Sequence, residues 1–309
     1  MHSSGRNTTV SEPIAITGGT GFVGRHLALA ALDRGLAVRV LSRSAPAASD
    51  LSVRGVEAVA ADVTDRAALT GAFAGASAVI HLVGIIQERG RNTFEAVHAR
   101  GTENVVAAAH AAGVRRIVHM SALGARPGAT TPYHRTKWAG EEAVRGSGLD
   151  WTIHRPSVVY GPGDGFVSRL LGILRWSPVA PVPGDGRSLL QPVWIGDVTA
   201  CFLGALGRPV TVGRTYELGG PRRWTLEALM GELMRASGRR RPRVHVPLPL
   251  ARAGAALAER ILPDPPVTRD QLAMLAEPNV CDTTAMRADF DVEMVDLPDG
   301  LRRMLGAAS

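Results

Sequence analysis

The chain has 309 residues, 45% of them hydrophobic and 20% charged. That is the length of one enlarged α/β domain or two smaller ones, and the composition excludes a disordered chain. Its 35 glycines and 20 prolines follow no period, which excludes a collagen-like fibre. Two cysteines, Cys201 and Cys281, make neither a disulfide framework nor a metal cluster, so a reducing cytoplasm is the expected location. The net charge of +7 is carried by 35 basic residues of which only Lys137 is a lysine. No recognition helix or aromatic-interleaved basic strand accompanies that charge, so nucleic acid is not an expected partner. Anionic cofactors or substrates suit it better.

Residues 1–12 are polar and lack an apolar centre, so they read as a loose tail. Strands are expected at 13–17, 37–41, 56–60, 78–83, 116–120 and 151–154. Between them helical spacing covers 22–34, 65–74, 93–112 and 133–146, with Gly35 and Gly113 as stops. This alternation predicts an α/β fold with a doubly wound parallel sheet of Rossmann type. The rhythm then breaks into Gly/Pro-rich loops around a helix at 166–176. A strand at 191–195 and a helix at 197–206 are expected to return to the main sheet. Later helices alternate with Pro-rich turns and imply a smaller, interleaved C-terminal substrate lobe. The expected division is 13–160 with 190–213 for the nucleotide domain, and 161–189 with 214–309 for the lobe. The apolar helix within 248–262 is too short and too charged to span a bilayer. Packing against the core or lobe is its expected role, ahead of lying on a membrane surface.

Thr17-Gly18-Gly19-Thr20-Gly21-Phe22-Val23-Gly24 lies between the first strand and the first helix. Gly18 permits the tight turn, Gly21 lets the backbone approach a pyrophosphate, and Gly24 allows close helix–strand packing. Thr20, Phe22 and Val23 complete a turn whose helix offers free N–H groups to phosphate. After the second strand, where an acidic residue would hold the ribose hydroxyl of NAD, stand Ser42 and Arg43. An arginine there meets a 2′-phosphate, so NADP(H) is favoured over NAD(H). Asp62 and Val63 end the third strand near the adenine position. Leu82, Val83 and Gly84 follow His81 at the end of the fourth.

Tyr133 and Lys137 are four residues apart, hence on one helical face, behind a Thr131-Pro132 helix start. Ser121 ends the preceding strand at the cofactor edge. A phenol with its usual pKa near 10 is a poor base at neutral pH; a neighbouring ammonium favours the phenolate. Lys137 can also donate to the nicotinamide ribose, and Ser121 can hold a substrate oxygen. If all basic positions were equivalent, the only lysine would fall here about one time in 35. No His-x-x-x-His occurs, so no metal is expected.

The glycine turn, Ser121 and Tyr133-x-x-x-Lys137 together resemble the short-chain dehydrogenases/reductases, in their extended or atypical, epimerase/dehydratase-like branch. The segment from Arg155 to Pro162 resembles that branch's strand and turn lining the nicotinamide, which implies contacts from Pro156 and Val158. Ser121-Ala122-Leu123-Gly124-Ala125, Gly163-Asp164-Gly165-Phe166 and Pro247-Leu248-Pro249-Leu250 resemble the NDUFA9-like group more narrowly. The resemblance implies an NAD(P)-dependent oxidoreductase acting on a small carbonyl or alcohol, or epimerase/dehydratase chemistry, as a monomer or homodimer. The alternative it carries is an NADP(H)-holding accessory or assembly protein associated with a respiratory membrane complex. Two departures stand out. The loop 85–92 is unusually charged, and no asparagine can be assigned to the family's proton relay. Asp197 resembles the family's structural aspartate.

Overall fold

The computed structural model describes residues 12–44, 48–262, 265 and 267–306. Of the expected N-terminal tail, residues 1–11 lie outside the described residues. The first half runs β1 (Ile14–Thr17), α1 (Phe22–Asp33), β2 (Val38–Ser42), α2 (Ser49–Val53), β3 (Glu57–Ala60), α3 (Arg66–Phe73), β4 (Ala78–His81), α4 (Gly101–Ala111), β5 (Arg116–Met120), α5 (Pro132–Arg145) and β6 (Asp150–Pro156). Then come β7 (Val159–Tyr160), α6 (Val167–Trp176), β8 (Ala180–Pro183), β9 (Leu189–Leu190), β10 (Val193–Trp194), α7 (Ile195–Leu206) and β11 (Arg214–Leu218). The last quarter holds β12 (Trp224–Thr225), α8 (Leu226–Ala236), β13 (Arg243–Val246), α9 (Leu248–Ile261), α10 (Arg269–Leu275), α11 (Thr284–Asp289) and α12 (Leu297–Gly306).

Seven strands form one sheet in the order β11-β6-β5-β4-β1-β2-β3, every neighbouring pair parallel. Chain direction across the sheet reverses between β1 and β4, the place where such sheets open a crevice for a dinucleotide. Alternate residues of β1 serve opposite faces. Ile14 and Ile16 pack with α1 and α7, whereas Ala15 joins the core under α3 and α4. Local signals start the helices where expected: Asp65 accepts from the Ala68 N–H at 3.0 Å, and Thr131 from the His134 N–H at 3.3 Å. A third core, which includes Tyr160, Leu174, Leu229 and Leu233, joins β7, α6, β8, α8 and α12.

Four expectations need correction. The strand expected at 191–195 shrinks to β10, which pairs with β7 in a separate two-stranded sheet. The reason is that the free edge of β6 is already occupied by β11. That strand, at 214–218, had been assigned to the lobe and belongs to the central sheet. The helix expected over 93–112 is interrupted, because Glu95–Arg100 forms a π-helical turn before α4. Finally, α9 forms but does not bury its apolar face. Ala255 is buried, while Leu250, Leu257 and Ile261 remain 64%, 59% and 67% exposed. Among the described residues no helix is long and apolar enough to cross a membrane.

Candidate active site

The glycine turn lies at the carboxyl end of β1, beside the chain leaving β4. Gly18 has φ +71°, and a Cβ there would stand 3.2 Å from both the Val83 backbone nitrogen and its Cγ2. A Cβ on Gly24 would come within 2.3 Å of the Gly18 carbonyl oxygen and 2.5 Å of the Gly19 Cα. On Gly21 it would meet only the Gly18 oxygen, at 3.2 Å, a tighter fit than an ordinary contact but far looser than at Gly24. Helix α1 starts at Phe22, Val23 and Gly24 with no side-chain cap and no acidic residue in its first turn. Uncapped N–H groups and a positive dipole end fit a pyrophosphate. Thr20 gives its carbonyl to Arg25 Nε at 3.1 Å, which secures the outer side of the turn.

Around this cradle the other expected cofactor residues fall into place unevenly. Arg43 follows β2 and is exposed. Ser42 is buried and its hydroxyl donates to the Ser44 carbonyl, so it is committed to the local turn. Asp62 accepts from both the Thr64 N–H and its hydroxyl at 2.8 Å through Oδ1. Val63 is buried against Gly101. Leu82 packs on the core of the α1 face. A Cβ on Gly84 would lie 3.6 Å from both Lys137 Nζ and His98 Nε2, so the loop after β4 reaches Lys137 of α5 and the π-helical turn.

Helix α5 carries Tyr133 and Lys137 one turn apart. The Lys137 ammonium donates to the Met120 carbonyl at 2.6 Å, at the last residue of β5 and one residue before Ser121. Burial lowers its pKa to about 8, against a smaller upward pull from Glu141. Tyr133 is packed edge-on by Phe94, His98 and His134, with ring centroids 5.8, 5.3 and 5.2 Å away. Removal from water raises its phenol to about 12. The Ser121 hydroxyl is buried and has no hydrogen-bond partner, which is rare for a native core. Lys137 is thus held at the end of β5, next to Ser121, and Tyr133 stands one turn away on the same helix.

Sequence reasoning missed His98. It sits in the π-helical turn, and burial, reinforced by the Lys137 charge, lowers its pKa to about 2. Its Nε2 accepts the Ile85 N–H at 3.0 Å, so Nδ1 carries the proton and donates to Thr136 Oγ1, also at 3.0 Å. Thr136 passes the chain of hydrogen bonds on to the Pro132 and Tyr133 carbonyls at 3.0 Å. A neutral imidazole therefore ties the loop after β4 to the first turn of α5. The only available signal was a polar residue on the apolar side of a helical pattern. His81 is a core histidine, held between Thr17 Oγ1 at 2.7 Å and Thr102 Oγ1 at 3.1 Å.

Above Tyr133 opens a cavity of about 400 Å³, also lined by Leu123, Pro156, Val158, Leu170 and Met230. Pro156 and Val158, expected to touch the nicotinamide, border it. Asp197 is buried and accepts the Val295 N–H at 2.9 Å through Oδ2, tying α7 to the segment before α12.

Residues 18–166 match the family model described as NAD(P)H-binding. The chain is 36% identical to the ceramide reductase of Caulobacter vibrioides over 64% of its own length and 62% of that protein's. It is 30% identical to the mitochondrial NADH dehydrogenase [ubiquinone] 1 alpha subcomplex subunit 9 of Arabidopsis thaliana, across 96% of this chain and 76% of that one. In fold it resembles a double mutant of the dTDP-glucose 4,6-dehydratase of Streptomyces venezuelae, with TM-score 0.76 and 20% identity over 95% of both chains. With its doubly wound sheet, its glycine turn and a relative 30% identical along 96% of the chain, the chain belongs to the extended short-chain dehydrogenases/reductases, a family of NAD(P)-dependent oxidoreductases, in the NDUFA9-like group.

Proposed function

We propose that the protein is an NADP(H)-dependent carbonyl reductase in which Tyr133, Lys137 and Ser121 do the acid–base work. The observation that carries this reading is the buried Lys137 ammonium, held on the Met120 carbonyl beside the orphaned Ser121 hydroxyl and one turn from Tyr133. A purely structural nucleotide site has no use for a costly buried ammonium beside a phenol. The reductase among its relatives also speaks against an accessory role alone.

The glycine turn 18–24 would hold the pyrophosphate, Arg43 the 2′-phosphate, and Gly84 and Lys137 the nicotinamide ribose. When bound, the nicotinamide supplies the hydride. The Ser121 hydroxyl donates to the carbonyl oxygen and orients it. Tyr133 then gives that oxygen its proton, and the ketone becomes a secondary alcohol while NADPH becomes NADP⁺. A phenol near 12 keeps its proton at neutral pH, which suits the reducing direction. Lys137 offsets the negative charge left on the phenolate. In this reading 161–189 and the helices from α8 onward form the substrate lobe, and two buried free thiols, Cys201 and Cys281, fit a reducing cytoplasm.

The test is NADPH consumption with a panel of aldehydes and ketones. Tyr133→Phe should lower turnover roughly 10²- to 10⁴-fold while NADPH still binds. Full turnover in that variant would remove Tyr133 from the chemistry.

A further inference from the structure

Beyond Tyr133 the cavity runs between the nucleotide domain and the lobe. Leu170 and Ile173 of α6 line it, as do Met230 of α8 and Leu272 and Leu275 of α10. Met230 and Leu272 are themselves core residues, 1% and 2% exposed, so these walls are fixed by packing. Two arginines line it beside these walls. Arg126 pairs with Glu277 at 2.9 Å, and Arg169 donates to the Pro265 carbonyl at 3.2 Å.

A nucleotide sugar carries a diphosphate, which needs several donors or cations in reach. Placing it against the aliphatic walls formed by Leu170, Ile173, Met230, Leu272 and Leu275 costs several kcal/mol of desolvation. A hydrocarbon chain has no such group to desolvate and gains from every methylene removed from water. Pockets of this size accommodate a small organic ligand.

We propose that the substrate is a ketone bearing an unbranched alkyl or acyl chain, with its carbonyl at Tyr133 and its chain between α6, α8 and α10. This rests on the reductase reading above, and the reaction is the same two-electron reduction by NADPH, with the proton from Tyr133. Met230 of α8 and Ile173 of α6 are among these aliphatic walls, and in this proposal they bound the chain.

The experiment follows NADPH oxidation by the purified full-length protein with unbranched methyl ketones from butanone to tetradecanone. In parallel, displacement of dansyl-undecanoate by the same ketones reads binding without turnover. Each added methylene should raise kcat/KM about three- to fourfold until the cavity is full, roughly 100-fold over four methylenes. Met230→Trp and Ile173→Trp, each checked for folding by circular dichroism, should move the optimum to shorter chains. They should cut the decanone-to-pentanone ratio of kcat/KM at least about tenfold. Turnover that is flat with chain length overturns the inference and leaves the reductase reading standing. Chain-dependent displacement that both variants abolish, with no turnover of any ketone, overturns the ketone as substrate together with the reductase reading and leaves only an alkyl-binding cavity. Absence of displacement together with absence of turnover overturns the inference, as does a preference for UDP-glucose over every ketone.

Discussion

Glu141, fully buried on α5, holds Arg155 at the end of β6 through two contacts, Nε to Oε1 at 2.8 Å and Nη2 to Oε2 at 2.6 Å. Tyr133, Lys137 and Glu141 are spaced by four, so phenol, ammonium and carboxylate form one ridge along the helix. The far end of that ridge fixes the residue just before Pro156, on the cavity wall. Glu141→Ala would leave a largely buried guanidinium without its partner and should destabilise the protein by about 3 kcal/mol in denaturant melts. Glu141→Gln should move Lys137 further below about 8, because the Glu141 charge is what holds it up. The alkaline limb of the reductase pH profile should then shift toward acid; an unmoved limb would detach Glu141 from Lys137.

Lys137 should make the fold pH-dependent. Its folded pKa is about 8 against 10.5 for the free side chain, so between these values the unfolded chain holds more protons. Stability therefore rises with pH across that window, and this contribution is lost as pH falls through about 8. The full swing is about 3 kcal/mol. Lys137→Met lacks it. After the lost bond to Met120 is counted, the variant should be more stable than the parent by about 1–2 kcal/mol at pH 7. That advantage should shrink as pH approaches 10.5, and a constant difference across the window would contradict the assignment. Activity should fall in the same variant.

Two glycines of the cradle should separate folding from binding. Gly24→Ala drives a methyl into the Gly18 and Gly19 backbone and should cost about 1–3 kcal/mol of stability. Gly21→Ala meets only the Gly18 oxygen, at 3.2 Å, and should cost less than Gly24→Ala, about 1 kcal/mol or under. It should nonetheless weaken NADPH measurably in a binding titration, because its methyl occupies the pyrophosphate approach. Unchanged affinity in Gly21→Ala would place the phosphates elsewhere.

Arg43 should decide the cofactor. Titration should give tighter binding of NADPH than NADH, and Arg43→Asp should reverse the order by placing a carboxylate where the 2′-phosphate goes. An unaltered preference would show that this exposed arginine does not read the phosphate.

Much of this was legible in the sequence because it is local. Six of the seven central strands are short runs bounded by glycine or turn residues, and the glycine turn and the Tyr133–Lys137 pair each lie within eight residues. What escaped depends on distant partners. Arg214–Leu218 alternates polar and apolar residues, and only the edge of β6 makes it a central strand. Pro181 and Pro183 argue against a strand, yet β8 pairs with β13. His98 gains its role from Ile85 and Thr136, and the cavity from α6, α8 and α10. No window of sequence contains such a set.

The late arrival of β11 has a consequence during biosynthesis. When β6 leaves the ribosome, its outer row of N–H and C=O groups has no partner, and its partner strand begins about sixty residues later. At ordinary elongation rates that gap lasts roughly 3–12 seconds, far longer than a hairpin needs to form. During this interval the nascent sheet exposes an adhesive border that another emerging chain could extend. Chains halted before residue 214 should accumulate as insoluble material, and chains halted after the strand has cleared the exit tunnel should not. Slow decoding between the two strands would lengthen the exposure, whereas a chaperone that shields sheet edges would shorten it.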